Sequence, residues 1–260
     1  MPKSANAPRA SSRLSSEQNQ LVNICRLCKT ESVLRNSHIV PEFLYETLYN
    51  DKHQVVGING VGPRGRELLQ KGIREPLLCE QCEQFINEYC EKPFRSQWLE
   101  TSPLPTTWGI DDIHWGNFDY RSFKLFHLSV LFRASVSSLP TYEAVSLGPH
   151  EERIRMMIRA RDPGPAWQYP IFGHAVVHHS TRALVQFVSA PEELSFNGHR
   201  SYEIIFGGVN WCYSVSSHRN LDFEKIGLQA DGRMSFRAVP WNEMEIVKDA
   251  AEILRSAKGR

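Results

Sequence analysis

No stretch of this 260-residue chain runs for 18 apolar residues, the length a helix needs to cross a bilayer, so no membrane span is expected. Charge of one sign is equally lacking. Thirty Lys and Arg stand against 29 Asp and Glu, which excludes the global basic field of a strong non-specific nucleic-acid binder and leaves such binding to a local cluster. There is no internal repeat, which excludes solenoids and propellers. Residues 1–20 hold almost no large apolar side chain and a single acid, being rich in Ser, Ala, Pro, Arg and Asn. Such a segment buries too little to offset chain entropy and is expected to be a disordered tail. It lacks the apolar core of a secretory signal, and its Arg and Ser content leaves a transit peptide as the lesser alternative.

Cysteine is scarce but pointedly placed. Four of the six form two Cys-x-x-Cys pairs, Cys25/Cys28 and Cys79/Cys82, with no short secreted framework around them. This fits a reducing, cytoplasmic compartment where thiols hold metal instead of forming disulfides. Two such pairs supply the four soft ligands of a tetrahedral structural zinc and leave no open position for catalysis. Between them lies Ser37-His38-Ile39-Val40-Pro41.

Residues 21–100 read as one metal-organised unit. The first pair sits in a knuckle, Val33 to Ile39 suit a strand ending at Pro41, and Pro41 is placed to open a short helix through Phe43, Leu44, Thr47 and Leu48. The glycine-rich stretch from Gly57 to Gly72 predicts loops or a hairpin carrying Arg64, Arg66 and Lys71, with Arg74 nearby. Cys82, Phe85, Ile86 and Tyr89 follow helical spacing, so the second pair opens a helix. Knuckle, hairpin and helix together make a treble clef.

Residues 101–260 read as a larger helix-plus-antiparallel-sheet domain, making the whole chain α+β. Phe123 to Ala134 predict one apolar face of a buried helix, and Gly148-Pro149 precedes a second, with Arg159 and Arg161 suited to its negative end. Strands are expected at Ile171 to His178, Ala183 to Ser189, Tyr202 to Ser214 and Met234 to Val239. A final amphipathic helix runs through Met244, Val247, Ala251 and Leu254. His127 reads as a core residue, His150 as a helix cap, and Cys90 and Cys212 as packed thiols.

The residues suited to chemistry are His38 as a general base, with an ordinary pKa near 6.5, and Glu83 with Asn87 one helical turn on as oxygen ligands for Mg²⁺ or Mn²⁺. Arg35, Arg64, Arg66, Lys71 and Arg74 could hold phosphates. Plainer roles stand beside these: His38 bonding backbone or serving as a zinc ligand, Glu83 favouring its helix N-terminus, and the basic residues forming a solvated loop.

From Ile24 to Glu88 these motifs resemble the HNH endonuclease superfamily of the ββα-metal type, and the chain is similar to bacterial proteins labelled HNH-like. The resemblance implies structural zinc on Cys25, Cys28, Cys79 and Cys82, His38 as the base, and Glu83 at the catalytic metal. Ser37 stands where the family carries an acidic or histidine ligand, and Glu83 where it carries His or Asn. The implied activity is metal-dependent cleavage of DNA, with bacterial defence as a setting in which a protein partner docks on the C-terminal domain. The alternative is an inert zinc-stabilised module that binds DNA or protein. Neither motifs nor composition set an oligomeric state.

Overall fold

Three strands from distant parts of the first hundred residues meet in one antiparallel sheet. In this computed structural model, described for residues 22–58, 66–196, 198–216, 218–244 and 248, β1 (Val22–Ile24), β2 (Glu31–His38) and a later strand, β5 (Arg74–Cys79), lie in the order β1-β2-β5. The strand expected up to Pro41 stops at His38, and Ile39 and Val40 turn into the core. Pro41 then opens two 3₁₀ turns, Glu42–Leu44 and Glu46–Leu48, in place of an α-helix. The expected hairpin is present as β3 (Gln54–Ile58) paired with β4 (Arg66–Gln70). Arg64, the 1–20 tail and most of the last amphipathic segment lie outside the described residues.

Cys79 is the residue before α1 (Glu80–Ile86), which continues without a break through a π-turn (Asn87–Glu91), α2 (Lys92–Ser96) and a second π-turn (Gln97–Thr101). Pro93 lacks an N–H, and a wider π-turn just before it accommodates the missing bond.

The second sheet has six strands. They are β6 (Ile113–Asn117), β7 (Ile171–Val177), β8 (Glu192–Phe196), β9 (His199–Phe206), β10 (Val209–Ser214) and β11 (Arg233–Pro240), in the order β6-β11-β7-β10-β9-β8. All pairs are antiparallel except β11 with β7. The expected run from Tyr202 to Ser214 is two strands, because Gly207 and Gly208 both take positive φ and turn a two-residue hairpin. Ala183 to Ser189 form no strand. That segment makes isolated bridges to Thr107 and Val177 and then sends the Ser189 N–H to the Ile205 carbonyl, so it crosses between strands instead of laddering along one. β6 and β8 were not evident from alternation.

Three further helices follow the chain order: α3 (Tyr120–Val136), α4 (Pro149–Ala160) and α5 (Leu221–Ile226). His150 does not cap α4; Gly148 holds that position and the His150 ring hydrogen-bonds the Tyr169 hydroxyl. Helix α3 is buried on every side from Ser122 to Ala134, not on one face. The reason is that it lies between the Glu80–Thr101 helical stretch and the six-stranded sheet. Phe126 stacks on Phe94 from the former, and the His127 ring lies 4.2 Å from that of Trp211 in β10. One apolar core therefore runs from Cys25 to Phe236, with no gap at residue 100.

Swallowing a whole helix strands its polar side chains, and each finds a partner. Lys124 donates to the Tyr120 hydroxyl and to the Pro165 and Gln168 carbonyls at 2.7 Å, while burial pushes its pKa down to about 7. His127 bonds the Tyr213 hydroxyl, as expected of a core histidine. No described helix is long and apolar enough to cross a membrane.

Candidate metal centre and the His38 site

The knuckle forms because Lys29 takes φ 62° and its N–H returns to the Cys25 carbonyl, while the Cys25 N–H reaches the Thr30 carbonyl. This turns Cys25 and Cys28 toward Cys79 and Cys82 at the junction of β5 and α1. All four sulfurs lie within 4.8 Å of one another, and Cys28 Sγ is 3.9 Å from Cys79 Sγ. Tetrahedral coordination with metal–sulfur bonds of about 2.3 Å places sulfurs about 3.8 Å apart, so the four residues can hold a metal ion such as zinc. Among the described residues this is the one group of three or more His, Cys, Asp or Glu so arranged. A hydrogen bond with Cys82, helped by backbone N–H groups, pushes the Cys25 thiol's pKa down against its burial, and the same bond pushes Cys82 up.

Helix α4 grips the knuckle from outside. Arg155, buried and bidentate to Glu152 at 2.7 and 2.6 Å, donates to the Leu27 carbonyl, and Arg159 reaches the Cys28 carbonyl at 3.5 Å. Arg159 thus does more than complement the end of its helix.

His38 ends β2 half-buried, and its Nε2 lies 2.7 Å from the Lys71 carbonyl. A carbonyl only accepts, so Nε2 carries the proton and Nδ1 keeps its lone pair. Burial lowers the ring's pKa and so favours the neutral imidazole, with Arg74 and Arg133 adding to the shift and the Lys71 carbonyl and Glu42 opposing it.

Ser37 points to the other side of β2, where it is fully buried. Its hydroxyl accepts from the Leu78 N–H and donates to Glu83 Oε1. Burial raises the Glu83 pKa, partly offset by the Ser37 bond and by the charge of Arg133. Asn87, a turn further on, is exposed. Arg133, fully buried in α3, donates to the His38 carbonyl and to Glu91 Oε1, both at 2.7 Å, and to the Ser129 carbonyl at 3.2 Å. The strand therefore presents His38 to one side and the Ser37–Glu83 pair to the other, with Arg133 tying its end to both helices.

Of the expected basic cluster, Arg74 lies across the strand pair from His38 and is exposed, Lys71 contributes its carbonyl, and Arg35 is ion-paired with Glu80. Arg66 belongs to β4 in backbone only, its side chain being outside the described residues. Sequence reasoning missed Arg133 and Arg155. The signal was present in Arg133: a cation within an apolar helical run needs a buried acceptor. Comparison with family models, with curated proteins and with solved structures finds no match to this chain.

Proposed function

We propose that the protein is a treble-clef zinc protein of HNH type that hydrolyses DNA phosphodiester bonds, with Cys25, Cys28, Cys79 and Cys82 holding a structural zinc and His38 acting as general base. The observation that carries this reading is the Ser37–Glu83 hydrogen bond on one side of β2 with His38, its tautomer set by the Lys71 carbonyl, at the adjacent position on the other side. In the superfamily it resembles, the residue before the base is an acidic or histidine ligand and the helix offers His or Asn. Here the hydroxyl is on the strand and the carboxylate on the helix, and their hydrogen bond supports reading Glu83 as the ligand that takes over from the residue before the base.

A divalent cation suits Glu83. Its carboxylate is raised in pKa because burial outweighs the positive charge near it. Glu83, with Asn87 one turn on, would hold Mg²⁺ or Mn²⁺, which when bound supplies charge neutralisation at a phosphate. The chain's own contribution is at His38. The Lys71 carbonyl fixes the ring through Nε2–H, leaving Nδ1 to take the proton of an attacking water, and Arg74 beside it suits a flanking phosphate.

The second reading is an inert zinc-stabilised module that binds DNA or a protein. It is favoured by the Ser37 hydroxyl, which is bonded on both its donor and acceptor sides, and by Ile113 and Trp115, exposed on edge strand β6 where a protein could pack. Zinc-loaded protein is tested for nicking of supercoiled plasmid with Mg²⁺ or Mn²⁺, alongside Mn²⁺ binding by electron paramagnetic resonance. The nuclease reading expects cleavage that His38→Ala abolishes with Mn²⁺ binding retained, and Mn²⁺ binding that Glu83→Gln weakens. No cleavage by zinc-loaded wild type in either metal leaves the inert module.

A further inference from the structure

A groove of about 420 Å³ opens where the Glu80–Thr101 helical stretch meets the start of α3, and neither the four cysteines nor His38 are among its lining residues. Two guanidiniums line it, those of Arg121 in the first turn of α3 and Arg161 just past α4. Neither has an ion-pair partner among the described residues. The two acids that also line the groove are already engaged. Glu88 is paired with Lys92 at 2.7 Å, and Asp119 caps α3 by accepting from the Ser122 N–H and hydroxyl. The Arg161 guanidinium carbon sits over the ring of Tyr89, 4.4 Å from its centroid, and the Phe85 ring packs against that ring at 5.0 Å. Leu125 and Pro93 give the groove an apolar floor.

The groove is built to keep this shape. The Tyr120 hydroxyl donates to the Gly164 carbonyl, and Lys124 donates to the Pro165 and Gln168 carbonyls, so the segment after Arg161 is pinned to the same turn of α3 that carries Arg121. Tyr89 itself sits in the Asn87–Glu91 π-turn, a distortion often found at functional sites. Arg161 holds a left-handed backbone at φ 53°, a place where glycine is usual.

We propose that this groove binds a nucleotide unit: the phosphate between Arg121 and Arg161, and the base over the Arg161–Tyr89 plane and apolar floor. Planar guanidiniums match phosphate oxygens in pairs, and a ring-backed guanidinium offers a flat face on which bases stack. Two cations without an ion-pair partner among the described residues, beside an aromatic ring, are the combination that single-stranded nucleic acid uses. The inference stands apart from the His38 reading, because binding needs neither a divalent ion nor cleavage.

The test is fluorescence anisotropy of a labelled dT12 strand with full-length, zinc-loaded protein and no added divalent ion. Tyr89→Ala is expected to weaken binding by about fivefold or more. Arg121→Gln and Arg161→Asn are each expected to reduce the salt slope of log affinity by about 0.7. Arg233→Gln, which removes an exposed cation elsewhere, leaves binding unchanged and separates the groove from net charge. Competition by millimolar dTMP identifies a free nucleotide as the ligand, and its failure against bound dT12 identifies a strand. Absence of dT12 binding, or equal binding by wild type and all three groove variants with circular dichroism unchanged, overturns the proposal. Neither outcome alters the plasmid result on His38.

Discussion

Replacing Arg133 by Met removes the guanidinium that joins the end of β2, the first π-turn and α3, while keeping an unbranched apolar stem. The side chain is 1 % exposed, and its partner Glu91 is 20 % exposed. Deleting one member of a buried ion pair costs about 3–5 kcal/mol, because the other charge is left without compensation. The His38 carbonyl also loses its donor, an effect of about 1–3 kcal/mol when no water replaces it. Since Glu91 keeps some contact with solvent and the two losses share one site, a total of about 3–5 kcal/mol is expected. For a chain of this size that corresponds to a fall in Tm of roughly 6–20 °C. The assay is urea and thermal unfolding of the zinc-loaded protein, with Arg133→Met/Glu91→Leu as companion. The double variant is expected to regain a large part of the loss, since it removes the stranded carboxylate. A loss below about 1 kcal/mol in Arg133→Met would refute the view that this buried cation secures the strand end.

Two further outcomes concern metal and pH. Metal analysis is expected to find one zinc per chain, absent from Cys82→Ala, and chelation should remove the knuckle that Arg155 and Arg159 grip, so that α4 loses amide-exchange protection along with β2 and β5; protection of α4 that survives chelation contradicts that coupling. His127 is fully buried and its pKa is lowered well below 6.5 by desolvation, so the unfolded chain binds this proton first as pH falls. Its contribution is therefore complete above about pH 6.5 and is lost below it, by at most about 1.4 kcal/mol per pH unit. His127→Phe should be less stable than wild type at pH 7.5, with the Tyr213 hydroxyl unpaired, yet lose less stability between pH 6.5 and 5.5. A parallel pH dependence in the two proteins excludes His127 as a source.

What the sequence determined by itself was local. Cys-x-x-Cys spacing predicts the knuckle because two thiols three residues apart can turn toward one ion, and the second pair opens a helix because Phe85, Ile86 and Tyr89 keep its period. Pro149 after Gly148 likewise marked the start of α4. Edge strands β6 and β8 were hidden because they lack a continuous apolar alternation, and Gly207-Gly208 lay inside what read as one run. Only the tertiary structure decided that α3 is enclosed on all sides, since a periodic pattern shows which face is apolar but not that Lys124, His127 and Arg133 find partners on three other elements. The same holds at the candidate site. Alternation along β2 separates Ser37 from His38, but the acceptor of each, Glu83 46 residues away and the Lys71 carbonyl 33 away, depends on how the helix and hairpin close over the strand. Hydrogen-bond partners at such separations are products of packing, and no local pattern encodes them.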